Sequence, residues 1–397
     1  MLISVSILTE LLRHQGKYEE AEAVSRQALA NCEKALGKHH PDTLTSVSNL
    51  AKLLLNQGKY EEAEALNRRA LHLREKALGE DHPDTLTSVS NLAAVLQQRG
   101  KYEEAEAMNR RALDGYTKVL GKNDPSTLTG VSNLAGVLQH QGKYEEAEAM
   151  NRRALHLREK ALGKDHPDTL TSVSNLAGVL QHQGKYEEAE AMNRRALHLR
   201  EKALGKGHPD TLTSVSNLAG VLQEQEKYEE AEALNRRALQ LREKALGKDH
   251  PDTLTSVSNL AGVLQQRGEY EEAETMSRRA LDGYEMALGK HHHSTINSVS
   301  NLAGLLRDQG KYEEAEAMYR RALDDCEKAL GKHHPDTLTS TYCLAYLYHM
   351  QNRLDEAGEL FVKALSRLRE VLGPTHTTTL ACEGHYASLS GKMAATR

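Results

Sequence analysis

The chain has no tryptophan and only one phenylalanine, Phe361, among its 397 residues. Large aromatic side chains therefore cannot dominate a hydrophobic core. The apolar runs are only a few residues long, so the sequence predicts no insertion into a membrane. Alanine, leucine, glutamate, lysine and arginine are abundant instead, which is the composition of long helices that keep one face in water.

The chain also lacks a large excess of positive or negative charge, because 51 lysines and arginines are balanced by 56 aspartates and glutamates. This balance argues against nucleic acid or an anionic membrane as the main partner. The amino terminus has no basic segment and no apolar signal-peptide core. Cys32, Cys326, Cys343 and Cys382 are too far apart to indicate a disulfide framework or a zinc site. These absences favour a cytoplasmic protein.

A repeat of 42 residues organises almost the whole chain, without insertion or deletion. Tyrosine recurs at this interval at Tyr18, Tyr60, Tyr102, Tyr144, Tyr186, Tyr228, Tyr270 and Tyr312. Leu354 holds the ninth place of that series. Proline recurs with the same step at Pro41, Pro83, Pro125, Pro167, Pro209, Pro251 and Pro335, and His293 takes the remaining proline place. Such self-similarity is typical of stacked helical or solenoid repeats.

Residues 41–82 show how one repeat is expected to fold. Pro41 and Asp42 suit a first helical turn. The N–H that proline lacks has no intrahelical acceptor there, and the carboxylate faces the positive end of the helix dipole. Apolar residues follow at helical spacing, at Leu44, Val47, Leu50, Ala51 and Leu54. Gly58 ends this first helix, here called helix A. Tyr60 begins a second helix, helix B, which Gly79 ends.

One such hairpin has too little apolar surface to fold alone, so neighbouring hairpins must stack. We expect an all-α solenoid, a right-handed superhelix of nine tandem helix–turn–helix repeats over residues 1–376, with a terminal capping helix and tail over 377–397. The first repeat lacks the Pro-Asp start, which favours a fragment or truncated product. Gly115 and Gly283 replace a leucine in the middle of helix B, and looser packing is expected there.

The order of small and large packing residues resembles the tetratricopeptide repeat. It is carried by Asn49, Leu50, Ala51, Leu54, Gly58, Tyr60, Ala63 and Ala70. The length, with His-Pro-Asp-Thr before helix A and Lys-Ala-Leu-Gly closing helix B, is similar to the kinesin light chain subgroup. Fungal receptors with a nucleotide-binding (NB-ARC) domain share this subgroup. Val47 departs from the family, which often has tryptophan there, and the sequence contains no Gly-rich phosphate loop.

Histidines and carboxylates recur but do not converge. Metal ligands must meet at one point, whereas histidine recurs about one repeat apart, at His40, His82, His166, His208, His250, His292, His334 and His376. Glu61, Glu62 and Glu64 match the dipole of helix B, and Arg68 and Arg69 suit ion pairs with glutamates three or four residues earlier. The sequence therefore predicts no catalytic residue, no metal, no cofactor and no enzymatic activity.

Opposite its apolar stripe, helix A is polar and almost uncharged, at Thr45, Ser48, Asn49, position 52 and Asn56. Lys52 is a basic exception. We call these positions, in every repeat, the groove face, because in the family it resembles this face lines a concave groove that holds peptides. An asparagine ladder runs along it at Asn49, Asn91, Asn133, Asn175, Asn217, Asn259 and Asn301. An amide donates and accepts, so the ladder can pair with a peptide backbone. Bonds between neighbouring helices are the alternative role.

The last position of helix A varies more than most others. It carries Asn56, Gln98, His140, His182, Glu224, Gln266 and Asp308. Side chains there would read a ligand's sequence, and neutral drift at an exposed helix end is the alternative. Glycine on the groove face would admit a close backbone, at Gly136, Gly178, Gly220, Gly262 and Gly304.

Together these patterns predict a non-catalytic scaffold that binds a protein or peptide in the groove, similar to a kinesin light chain adaptor. One alternative is the ligand-sensing arm of a larger NB-ARC receptor, and another is a passive spacer. The oligomeric state stays open.

Overall fold

The computed structural model describes residues 7–12 and 17–395. Throughout this part of the chain the regular elements are helices, which confirms the predicted all-α fold. The expected start of the first helix A near Met1, and residues 396–397 of the expected tail, lie outside the described residues. Residues 7–12 are helical and form α1.

Shorter and longer helices, helix A and helix B, alternate along the chain. Helix A of repeats two to nine has 16 residues and comprises α3 (Pro41–Asn56), α5 (Pro83–Gln98), α7 (Pro125–His140), α9 (Pro167–His182), α11 (Pro209–Glu224), α13 (Pro251–Gln266), α15 (His293–Asp308) and α17 (Pro335–Met350). Helix B comprises α2 (Tyr18–Leu36), α4 (Tyr60–Leu78), α6 (Tyr102–Leu120), α8 (Tyr144–Leu162), α10 (Tyr186–Leu204), α12 (Tyr228–Leu246), α14 (Tyr270–Leu288), α16 (Tyr312–Leu330) and α18 (Leu354–Val371). The last helix is α19 (Thr377–Ala395), and its separation as a cap stays a prediction.

The chain divides into two compact units. The first unit contains Met1–Gln139 and Lys143–Asn217, and the second contains His140–Gly142 and Leu218–Arg397. In the first unit, Leu134, Leu138, Ala147 and Val179 form part of a core in which each is at most 1% exposed. Leucines of helix A thus pack against alanines of helix B, whose small side chains let the two helices approach closely.

The histidine before helix A is a helix cap, a role that the sequence pattern did not reveal. His166 Nδ1 accepts a hydrogen bond from the backbone N–H of Asp168 at 3.2 Å. The same bond forms at His40, His82, His208, His250, His292, His334 and His376. Asp124 replaces histidine in the third repeat, and its Oδ1 accepts from the N–H of Ser126 at 2.8 Å. The recurrence therefore reflects capping of free N–H groups.

The expected loose packing at Gly115 and Gly283 is wrong. A Cβ atom at Gly115 would lie 2.5 Å from a methyl carbon of Leu86, and one at Gly283 would lie 2.5 Å from a methyl carbon of Leu254. Both leucines are 1% exposed. The glycines therefore admit a leucine of helix A into space that a side chain on helix B would fill.

Candidate binding surface on helix A

All members of the asparagine ladder lie on helix A, outside the core. They are exposed at Asn49, Asn133 and Asn301, and half-buried at Asn91, Asn175, Asn217 and Asn259. Each is the ninth residue of its helix, so the 42-residue repeat places it on the same face every time. The side chains are therefore accessible to a ligand, as the groove hypothesis requires.

The variable residues at the end of helix A are exposed in all seven repeats that carry them, at Asn56, Gln98, His140, His182, Glu224, Gln266 and Asp308. Some also contact a neighbouring repeat. The ring of His182 stacks on Tyr144, with centroids 5.7 Å apart. Gln266 Oε1 accepts from Gln223 Nε2 at 3.1 Å, and Asp308 Oδ2 accepts from Gln265 Nε2 at 2.7 Å. These side chains thus bridge repeats as well as facing water.

Space above the groove face differs between repeats. A Cβ atom at Gly136 or Gly178 would meet no other atom within 4 Å. At Gly304 it would lie 3.5 Å from the Tyr319 hydroxyl. A ligand backbone can therefore approach Gly136 and Gly178 more freely than Gly304.

Buried arginines of helix B reach the edge of the groove face. Arg200 is only 6% exposed, and its Nη1 donates to Ser214 Oγ at 2.7 Å and to Ser174 Oγ at 3.4 Å. It also donates to the backbone oxygen of Asp210 at 3.4 Å. The corresponding bonds to the next helix A join Arg74 to Ser88, Arg158 to Ser172 and Arg242 to Ser256.

Burial lowers the pKa of Arg200, because desolvation disfavours the charged guanidinium. In the third and seventh repeats, tyrosine takes the place of this arginine. The hydroxyl of Tyr116 bonds Thr87 Oγ1 at 3.0 Å, and that of Tyr284 bonds Thr255 Oγ1 at 2.8 Å. The signal that could have revealed these contacts is arginine recurring at one helix B position together with serine at one helix A position.

The other charged residues of helix B pair with one another between repeats. Arg152 donates to Glu148 at 2.7 Å and to Glu188 of the next helix B at 2.5 Å. Lys185 donates to Glu148 at 2.7 Å, and these bonds lower the pKa of Glu148 to about 2. The predicted ion pair four residues apart is present for Arg68, which donates to Glu64. The prediction is wrong for Arg69, which donates to Glu33 of the preceding helix B because Ala65 and Leu66 stand four and three residues before it. A second set of ion pairs thus links successive repeats.

Near its C-terminal end the groove face becomes aromatic. Tyr342 and Tyr346 of α17 stand where earlier repeats have serine and, mostly, glycine, and His385 of α19 corresponds to the asparagine place. The rings of Tyr346 and His385 stack with centroids 4.2 Å apart. His385 Nδ1 lies 2.8 Å from the Tyr342 hydroxyl. The polar ladder therefore gives way to a stacked cluster, which the periodic pattern did not predict.

Among residues 7–12 and 17–395, no group of three or more histidine, cysteine, aspartate or glutamate side chains is arranged to hold a metal ion. The cysteines are free thiols. Over the same described ranges, no helix has both the length and the apolar character needed to cross a membrane.

Family comparison identifies the repeats. One tetratricopeptide repeat model matches residues 8–76, 46–118, 124–202, 171–244, 210–286, 252–328 and 294–357, and a second matches residues 337–378. The chain belongs to the tetratricopeptide repeat family. Its fold and family are those of a protein-interaction scaffold. No curated protein matches the chain significantly.

Several solved structures are similar to this chain. The chain is 28% identical to kinesin light chain nearly identical TPR-like repeats from Podosopora anserina, with a TM-score of 0.44 over 52% of this chain and 98% of that one. It is 25% identical to BtubC (BKLC) from P. vanneervenii, with a TM-score of 0.48 over 58% and 92% of the two chains. The quorum sensor NprR from B. thuringiensis aligns at 16% identity and a TM-score of 0.54, over 82% of this chain and 87% of that one.

Proposed function

We propose that this protein binds an extended segment of a protein partner along the groove face and catalyses no reaction, acting as an adaptor. The observation that supports this most is the asparagine ladder, whose amides recur on an accessible face of helix A rather than in the core. A peptide backbone also repeats its donors and acceptors, so a row of amides suits it.

The surroundings of the ladder favour a neutral main chain as the ligand. Thr171 is exposed and Ser174 is half-buried beside Asn175, and Gly178 leaves open space. The carboxylates and guanidinium groups on helix B are largely paired with one another, as Glu148 is with Arg152. Affinity would thus come from hydrogen bonds to the backbone rather than from ion pairs.

Selectivity between partners would come from the variable residues at the end of helix A. His182 and Glu224 are both exposed, and they differ in charge and shape. A ligand side chain that reaches this row would meet a different neighbour in each repeat. Changing His182 or Glu224 should therefore alter which segment binds, whereas changing the ladder should weaken every segment.

The test replaces Asn133, Asn175 and Asn217, all in the first unit, with alanine in one variant. Each lost backbone hydrogen bond should cost about 0.5–1.5 kcal/mol, so affinity for a captured partner should fall by at least about tenfold. The matched control replaces the exposed Glu103, Glu145 and Glu187 of helix B with glutamine.

Circular dichroism of both variants separates binding from folding. A folded asparagine variant that keeps its partner at unchanged affinity would contradict the groove assignment. Unfolding of that variant, with a folded control, would show that the ladder holds helices together instead.

A further inference from the structure

A cavity of about 140 Å³ opens on the groove face of the seventh repeat, within the second unit. Its walls come from α13, α14 and α15. The polar lining is Ser258, Gln265, Ser277, Ser298 and Asn301, and the remaining lining residues are glycine and alanine. The lining therefore offers hydroxyl and amide groups and no charged side chain.

The cavity exists because one helix B position carries a smaller side chain than in other repeats. Asparagine occupies this position in repeats two to six, at Asn67, Asn109, Asn151, Asn193 and Asn235. Each of these is at most 2% exposed. Tyr319 and Phe361 fill the position in repeats eight and nine, and are 2% and 0% exposed. Among repeats two to nine, Ser277 is the smallest side chain at this position.

The rest of the lining is the same in the fifth and seventh repeats. Around Asn193 of the fifth repeat, the same residue types stand at the corresponding places, at Ser174, Ala177, Gly178, Gln181, Ser214 and Asn217. The two repeats thus share one set of walls, and only the occupant differs. The side chain of Asn193 shows that these walls have room for a carboxamide, whose Oδ1 has no hydrogen-bond partner there among the described residues.

We infer that the cavity beside Ser277 is a binding pocket for a carboxamide side chain, an asparagine or glutamine of the partner segment. This inference rests on the proposed function, because the segment must lie on the groove face for its side chain to enter. The pocket takes the carboxamide that Ser277 lacks. An aspartate or glutamate is disfavoured, because no lining cation would compensate for desolvation of its carboxylate.

A small probe tests the pocket without any partner. Binding of N-acetyl-L-asparagine N-methylamide to the full chain is measured by saturation-transfer NMR, beside the aspartate and valine analogues. The asparagine probe should give the strongest signal. A stronger signal from the aspartate or valine analogue would overturn the carboxamide assignment.

Two variants exchange the occupants of the matched repeats. Ser277→Asn fills the pocket with the side chain found in the fifth repeat, and the probe signal should fall at least about fivefold. Asn193→Ser should open a second pocket in the first unit and about double the signal. An unchanged signal in Ser277→Asn would overturn the pocket. If Asn193→Ser does not fold, Ser277→Asn still tests whether the pocket exists, because filling a cavity does not remove packing contacts.

The probe has one side chain and no extended backbone, and Asn301 is the ladder residue that lines the pocket. Its result therefore does not depend on Asn133, Asn175 and Asn217. Loss of the probe signal in Ser277→Asn, with partner binding retained in the Asn133, Asn175 and Asn217 variant, would contradict the proposed function and leave a carboxamide pocket. An unchanged probe signal in Ser277→Asn, with partner binding lost in the Asn133, Asn175 and Asn217 variant, would contradict the pocket and leave the proposed function.

Discussion

Arg200 Nη1 donates a 2.7 Å hydrogen bond to Ser214 Oγ and thereby joins helix B of the fifth repeat to helix A of the sixth. The guanidinium is buried, and its hydrogen-bond partners are neutral oxygens of Ser174, Asp210 and Ser214. A buried charge held in this way depends on every bond, because each lost partner leaves a desolvated group unsatisfied.

We therefore expect Arg200→Ala to destabilise the fold much more than Arg194→Ala. Loss of charged hydrogen bonds costs about 1.5–3 kcal/mol, and the loss of packing adds to it. Arg194 is exposed on the same helix and donates to Glu190 at 2.7 Å, a surface pair worth about 1 kcal/mol or less. Urea unfolding of both variants measures the difference. Equal costs would show that the buried bonds add no stability.

Glu226 stands where most other repeats have glycine at the turn between helix A and helix B, and its φ of 59° lies in the left-handed region. Gly184 occupies the same turn at φ 73°. Both turns place the next N–H 2.9 Å from a leucine oxygen, in Lys227 to Leu222 and Lys185 to Leu180. A residue with a Cβ atom is disfavoured there by about 1–2 kcal/mol.

The expected result is that Glu226→Gly raises the free energy of unfolding by about 1 kcal/mol, and that Gly184→Glu lowers it by a similar amount. Thermal unfolding of the two variants provides the measurement. A destabilised Glu226→Gly variant would mean that the glutamate side chain contributes more than its backbone strain costs.

His349 lies in the C-terminal part of the second unit and is 6% exposed. Neither ring nitrogen has a hydrogen-bond partner among the described residues. Burial lowers its pKa, as do the nearby Lys392 and His385. Burial and Arg307 lower the pKa of His385 as well. Both imidazoles therefore favour the neutral form in the folded protein.

Acid should consequently loosen this region. An unfolded histidine titrates near pH 6.5, so the unfolded chain binds more protons than the folded one as the pH falls below about 6.5. The stability is present above that pH and decreases below it. Amide exchange in α19, corrected for its intrinsic rate, should be faster at pH 5.5 than at pH 7.5.

A histidine variant provides the control for this pH effect. His349→Leu should make exchange in α19 less dependent on pH, whereas substitution of the exposed His156 of α8 should leave it unchanged. A pH dependence that survives intact in His349→Leu would place the titrating group elsewhere.

The hairpins could be predicted because their signals are local: Pro41, Gly58 and Tyr60 mark helix ends in the order in which the chain uses them. The position of the asparagine ladder outside the core likewise follows from helical spacing. The bond from Arg200 to Ser214 and the space beside Ser277 could not be predicted in this way. They depend on how side chains from different helices meet, which periodicity does not specify.

The most direct test of the groove assignment is site-specific photocrosslinking. A benzoylphenylalanine replaces Gly178 on the groove face, where a Cβ atom meets nothing within 4 Å, or Ala191, which is exposed on helix B of the same repeat. Bound partner should crosslink from position 178 and not from position 191. Crosslinking from position 191 alone would contradict binding on the groove face.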